Sequence, residues 1–212
     1  MPNKKMIFAH RGLFGGRISE NSLSAFQCAI DKGMGIELDI RLTKDGVPIV
    51  FHDKTLMRMC GEKRRVSRMT FEEIKNFRLG NSDEGIPKLS EVLELVNGQT
   101  PLLIETKHSR FFPCSHCLER SIIPLLRGYN GEYLLQSFNR WSVRFLKKKI
   151  PAAKCGILSG IIYPEPSGFD FINYKMNGVS AEKIRELKQK YPLLFGWGNI
   201  SGKEKYLDGI IM

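Results

Sequence analysis

The sequence predicts an α/β protein built as a closed eight-stranded parallel (β/α)8 barrel, with an extra β-hairpin after the second strand. Two observations carry this. Short apolar runs rich in Ile, Val and Phe alternate with segments of helical pattern along the 212 residues. Polar, chemically capable residues cluster where those runs end, and barrel enzymes hold their sites at the C-terminal ends of the strands. A doubly wound open sheet is the alternative, but it gathers chemistry at one crevice and not around a ring. The length suits one sizeable domain, taken as residues 1–212.

The barrel strands are expected at Met6–Ala9, Ile36–Ile40, Leu102–Glu105, Tyr133–Gln136, Lys154–Leu158, Phe169–Asn173, Leu193–Trp197 and Asp208–Ile211. Pro48–Phe51 is the extra hairpin arm. Asn21 is expected to cap a helix over Ser22–Lys32, and Thr70 with Glu73 forms a capping box for Phe71–Phe77. Ser90, Asn139 and Ser180 are placed as caps of Glu91–Val96, Arg140–Lys149 and Ala181–Lys190. A helix interrupted by Pro124 is expected over Ser115–Leu126, and a loop or single turn over Ser159–Gly168.

The chemistry starts at the strand ends. His10 follows the first strand, Glu37 and Asp39 lie in the second, Glu105 and Lys107 end the third, Gln136 and Ser137 the fourth, and Trp197 the seventh. Residues i and i+2 on a strand point the same way, so Glu37 and Asp39 can share one hard cation. Histidine is the side chain best suited to proton transfer near neutral pH. Asp45-Gly46 signals a two-residue type I′ turn, which pairs Lys44 with Val47 and sets Asp39 opposite His52. A longer turn would shift that register. Glu37 and Asp39 could instead pair with Arg11, Arg41 or Lys107, but two carboxylates in a buried strand are costly without a cation.

The charge balance, 33 Lys and Arg against 22 Asp and Glu, is +11 and favours anionic partners. The basic residues fall in small groups, such as Lys63-Arg64-Arg65 and Lys147-Lys148-Lys149, so no nucleic-acid partner is expected; weak contact with an anionic membrane surface is allowed. No apolar run reaches the ~20 residues of a membrane span. The start runs directly into a strand, so no signal peptide is expected and a cytoplasmic setting fits. Five scattered cysteines argue against a disulfide framework. Cys114-Ser115-His116-Cys117 offers too few ligands for a closed zinc site and reads as a loop or helix start with free thiols.

His10-Arg11-Gly12, Glu20-Asn21, Glu37-Leu38-Asp39, Asp45-Gly46 and His52-Asp53, in that order, resemble the glycerophosphodiester phosphodiesterase family. The resemblance continues through Asp53-Lys54-Thr55-Leu56 with Arg58, Ile86-Pro87-Lys88-Leu89, Leu103-Ile104-Glu105-Thr106-Lys107 and Gln136-Ser137-Phe138. It rests afterwards on Trp197 and Asp208-Gly209-Ile210-Ile211. It implies a TIM-type barrel that hydrolyses glycerophosphodiesters to glycerol phosphate and an alcohol with one divalent cation, Mg²⁺ or Ca²⁺ and in their place Mn²⁺. Carried over, Glu37, Asp39 and Glu105 hold the metal, His10 and His52 are the catalytic acid–base pair, and Arg11 and Lys107 hold phosphate oxygens. Trp197 is suited to line the pocket for a small polyol, with plain barrel packing as the alternative. The chain departs from the family at Ser19, where Pro is common, and at Gly198-Asn199, where Thr usually follows the tryptophan. It also ends at Met212, where members usually continue, so barrel closure is the feature most exposed to test. Two rival functions are a phospholipase D-like activity on lysophospholipids at membranes and a non-catalytic module for anionic ligands.

Overall fold

Eight parallel strands close on themselves, so the last one completes the ring within the sequence. The computed structural model describes residues 5–107, 115–160 and 168–212. Its strands are β1 (Met6–His10), β2 (Gly35–Leu42), β3 (Pro48–Val50), β4 (Leu102–Thr106), β5 (Tyr133–Ser137), β6 (Lys154–Ser159), β7 (Phe171–Lys175), β8 (Leu194–Trp197) and β9 (Gly209–Ile211). β1 pairs in parallel with both β2 and β9, which shuts the barrel, and β3 runs antiparallel against β2 outside it. The helices are α1 (Leu23–Asp31), α2 (Met57–Cys60), α3 (Phe71–Ile74), α4 (Leu89–Val96), α5 (Cys117–Arg127), α6 (Arg140–Lys149) and α7 (Ala181–Lys190). Most of the expected Ser159–Gly168 loop, together with His108 and Cys114, lies outside the described residues.

The alternation of each strand sorts its side chains into two packings. Outward residues such as Leu38, Ile104, Leu135, Ile157 and Ile172 join Phe26, Val92, Ile122, Leu146 and Leu187 of the surrounding helices in the main apolar core. Inward residues Phe8, Leu103, Leu134, Phe171, Phe195 and Ile211 fill the barrel as a second cluster. Glycine makes room for those rings: a Cβ at Gly35, Gly156 or Gly209 would overlap Phe8, Phe171 or Phe195. Residues 47–86 carry a third, smaller core around Phe51, Leu56, Val66, Met69 and Ile74.

Four local expectations are corrected. The hairpin does not take a two-residue turn: Thr43 N–H donates to Val47 O, three residues lie between them, and Gly46 takes the left-handed conformation at φ 82°. The register therefore shifts by one, and Asp39 faces Phe51 rather than His52. Ser22, not Asn21, caps α1, its hydroxyl accepting from Ala25 N–H at 3.1 Å. At α4 the cap falls on Lys88, whose N–H donates to Glu91 at 2.7 Å, two residues before the serine expected there. The Thr70, Asn139 and Ser180 caps stand as expected. Cys117 is disulfide-bonded, against the expectation of free thiols, while Cys28, Cys60 and Cys155 are free. Among the described residues no helix is long and apolar enough to cross a membrane.

Candidate active site

Two residues further along each inward face, the apolar plug gives way to chemistry. Phe8, Leu103, Leu134, Phe171 and Phe195 are followed at i+2 by His10, Glu105, Gln136, Asn173 and Trp197. A two-residue step moves one layer up the same face of a strand, so these five converge above the plug. All five line one open cleft at the C-terminal ends of the strands. Arg11, Glu37, His52, Lys107 and Phe138 line it as well. The sheet register brings Glu37 beside His10 and Asp39 beside Glu105.

The three carboxylates expected to hold a metal form one cluster. Glu37, Asp39 and Glu105 are all buried, and each offers an oxygen within 4.8 Å of the others. Lys107 Nζ lies 2.9 Å from Asp39 Oδ1 and 2.6 Å from Glu105 Oε1. Glu37 accepts from the Arg11 N–H at 3.1 Å and has Gln136 Nε2 at 3.5 Å. Burial, with Asp39 and Glu105 close by, pushes the Glu37 carboxyl well above its ordinary range. Burial likewise pushes Glu105 up to about 7. Burial would raise Asp39 too, but Lys107, His52 and Arg11 outweigh it and hold it ionised. Buried negative charge is thus in excess, and an all-oxygen set of this kind fits a hard divalent cation.

His52 reaches the cleft by another route than the predicted cross-strand pairing. β3 ends at Val50, and Arg41 of β2 donates from Nε to the His52 carbonyl at 2.8 Å, which holds the departing chain against the sheet. His52 Nδ1 lies 2.6 Å from Asp53 Oδ1. Burial, above all, lowers both His10 and His52 from the ordinary imidazole value.

Arg11 is held in the left-handed region at φ 59°, a conformation costing about 1–3 kcal/mol in a residue other than glycine and found mostly where function demands it. The turn places its N–H on Glu37 and its guanidinium between Glu20, at 2.9 Å, and Asp39, at 3.4 Å. The last contact is ionic: Arg11 Nε makes no hydrogen bond among the described residues. Asn21, released from capping, is also left-handed at φ 56° and donates from Nδ2 to Asp39 Oδ2 at 3.0 Å.

Asn173 is a pocket residue that the sequence left unassigned, although it ends an expected strand. A carboxylate at Glu37 takes the Gln136 amide N–H, so Gln136 turns its oxygen to Asn173 Nδ2, 2.9 Å away. That leaves Asn173 Oδ1 buried and without a hydrogen-bond partner among the described residues, and Trp197 Nε1 is in the same condition. One spare acceptor and one spare donor therefore stand in the same wall. Trp197 also meets Phe138 edge-on, with ring centroids 6.4 Å apart.

A closed parallel barrel with two histidines, a carboxylate cluster and cationic side chains gathered at the C-terminal ends of its strands is the plan of a barrel enzyme. The chain belongs to the glycerophosphoryl diester phosphodiesterase family, whose model matches residues 10–195. It is 32% identical to a glycerophosphodiester phosphodiesterase of Caldanaerobacter subterraneus over 98% of this chain and 93% of that protein. It is 36% identical to one of Bacillus altitudinis over 76% of this chain and 69% of that protein. Among solved structures, a glycerophosphoryl diester phosphodiesterase from Silicibacter pomeroyi superposes with TM-score 0.85 at 21% identity, covering 100% of this chain and 90% of that one. A phosphodiesterase from Oleispira antarctica, solved with the product sn-glycerol-3-phosphate, gives TM-score 0.79 at 22% identity, covering 97% and 92%.

Proposed function

We propose that the protein hydrolyses glycerophosphodiesters to glycerol phosphate and an alcohol, using one divalent cation and the pair His10 and His52. The observation that carries this is the convergence of two histidines, two buried carboxylates and two cationic side chains on one cleft, with the third carboxylate, Asp39, clustered against Glu37 and Glu105, in a member of this family. Glu37, Asp39 and Glu105 would hold the cation, which when bound neutralises charge on the phosphodiester. Arg11 and Lys107 add donors to the phosphate oxygens. Burial would lower the Lys107 pKa, but Asp39 and Glu105 raise it, so Lys107 stays charged.

In the reaction the glycerol hydroxyl next to the phosphate attacks phosphorus and loses its proton to one imidazole. The P–O bond to the alcohol breaks as the other imidazole delivers a proton to the departing oxygen. Water then opens the cyclic phosphate with the two roles exchanged. The spare acceptor on Asn173 and the spare donor on Trp197 are available to substrate hydroxyls. Trp197→Phe keeps an aromatic ring and removes only the donor. It should raise KM roughly two- to tenfold at nearly constant kcat, the signature of one lost ground-state hydrogen bond. Steady-state kinetics showing an unchanged KM would remove Trp197 from substrate binding.

The deciding assay incubates the pure protein and Mg²⁺ or Ca²⁺ with glycerophosphocholine, glycerophosphoethanolamine and glycerophosphoglycerol, and measures glycerol phosphate. Turnover of at least one is expected; turnover of none rejects the proposal. A specific observation favours a second substrate class. Leu13, Phe14, Met57, Phe138 and Trp141 are exposed in the segments that follow β1, β3 and β5, and Phe138 lines the cleft. Arg140 and Arg144 lie over the Trp141 ring. Such a rim suits lysophospholipids presented by an anionic surface. Lysophosphatidylcholine and salt-titrated binding to anionic vesicles therefore belong in the same panel, and inactivity on the one with no salt-sensitive binding to the other removes this second class.

A further inference from the structure

Five side chains join the proposed acid–base group to the proposed phosphate-holding group without a break. His52 Nδ1 lies 2.6 Å from Asp53 Oδ1, and Arg58 Nε lies 2.6 Å from Asp53 Oδ2. The other end of the Arg58 guanidinium is forked on Glu20, Nη1 at 2.9 Å from Oε2 and Nη2 at 2.6 Å from Oε1. Glu20 Oε1 also accepts from Arg11 Nη1 at 2.9 Å. The order is His52–Asp53–Arg58–Glu20–Arg11.

We propose that Arg58 is a positioning residue that acts on His52 through Asp53 and on Arg11 through Glu20, so that one guanidinium sets the geometry of both. This rests on the roles given to His52 and Arg11 above. An ionised carboxylate only accepts hydrogen bonds, so Asp53 fixes the His52 tautomer with its hydrogen on Nδ1 and leaves Nε2 for proton transfer. Asp53 can hold that plane only if its other oxygen is fixed, and Arg58 fixes it. Glu20 does the same for the Arg11 guanidinium, whose backbone is already in a costly conformation.

The plainer account is a surface ion pair worth little, since the Arg58 side chain is 47% exposed. Geometry speaks against it. The two carboxylates are shielded, at 12% and 24% side-chain exposure for Glu20 and Asp53, and the Arg58–Glu20 contact is bidentate. Burial would raise both carboxyls, yet the bonds from Arg58 and its neighbours outweigh it and keep them below their ordinary values. α2, which carries Arg58, is only four residues long, so the side-chain bonds and not a long helix decide where the guanidinium sits.

The test compares the parent with Arg58→Ala and Arg58→Lys. Arg58→Ala should lose about tenfold to a hundredfold in kcat/KM on the best glycerophosphodiester, the usual cost of removing a group that orients a site residue. Nitrogen NMR of the His52 ring should show the hydrogen spread over Nδ1 and Nε2 where the parent holds it on Nδ1. Millimolar guanidinium should restore both readouts in Arg58→Ala, because the position is half-open to solvent. Arg58→Lys keeps the charge but lacks the fork and should recover only part. An Arg58→Ala protein with parental kcat/KM and parental His52 tautomer overturns the proposal. So does one that loses activity through a lowered melting temperature, with no tautomer change and no rescue. The NMR arm needs no substrate, so a parent inactive on the whole panel would reject the proposed reaction while still deciding whether Arg58 holds His52.

Discussion

Replacing either His10 or His52 with alanine is expected to lower turnover by about 10²–10⁴-fold, the usual worth of a general acid or base, with the fold and cation binding intact. His10 is the inward residue directly above Phe8, and His52 enters the cleft at the end of the hairpin arm, so the two come from different walls. Neither fills the apolar plug, which is why the loss should fall on kcat and not on stability. The matched control is His116→Ala. His116 stacks on Phe145 with centroids 4.1 Å apart, on the helices outside the barrel, and should keep most activity. His108→Ala, at a position outside the described residues, is the second control, since His108 falls outside the motif. A control variant as damaged as His52→Ala, at equal stability, would transfer the acid–base role. The pH profile of kcat/KM should be bell-shaped, because one imidazole must be neutral and the other protonated. Burial lowers both, so activity should rise with pH on the acid side of the ordinary imidazole value, and a cation nearby shifts that limb further the same way.

The barrel was legible because its information is local and repeated. Each apolar run satisfies two packings at once, outward against helices and inward against the plug, and so reads as a strand even in isolation. The chemistry was legible for the same reason: a polar residue two positions past an inward apolar one has only the mouth of the barrel to face. What failed was geometry set by a single turn. Asp45-Gly46 signals a hairpin but does not count its loop, and one extra residue moved Asp39 from His52 to Phe51. His52 reached the cleft nonetheless, because Arg41 ties down its carbonyl, a contact that no short-range pattern encodes. Asn21 and Ser22 are both good caps, and the choice between them was made by Asp39, eighteen residues away, which takes the Asn21 amide. The Arg58–Glu20 fork spans 38 residues, and the spare acceptor on Asn173 exists only because Gln136 is oriented by Glu37. Tertiary partners of that kind leave no periodicity behind.

Chelation should abolish activity, and Mg²⁺, Mn²⁺ or Ca²⁺ should restore it, with Glu37, Asp39 and Glu105 as the binding set. The argument is electrostatic. Three carboxylates lie within 4.8 Å of one another in the barrel, and burial pushes two of them upward in pKa because their charge is inadequately met. Among the described residues Lys107 pairs with only Asp39 and Glu105, and Glu37 has no side-chain cation at hydrogen-bond distance. A divalent cation that binds the folded state alone should therefore stabilise it by mass action, about 2.7 kcal/mol when present at a hundred times its Kd. The double variant Glu37→Gln/Asp39→Asn keeps the shape of both side chains and removes two charges. It should still unfold cooperatively, show no rise in melting temperature with added cation, give no binding heat in calorimetry, and retain less than a hundredth of parental activity, on the order of the loss from removing a catalytic group. Calorimetry makes the test independent of turnover. If the double variant bound the cation as the parent does, the ligands would have to be sought elsewhere in the chain, and the raised pKa values of Glu37 and Glu105 would then mark protonated carboxyls that donate hydrogen bonds within the site.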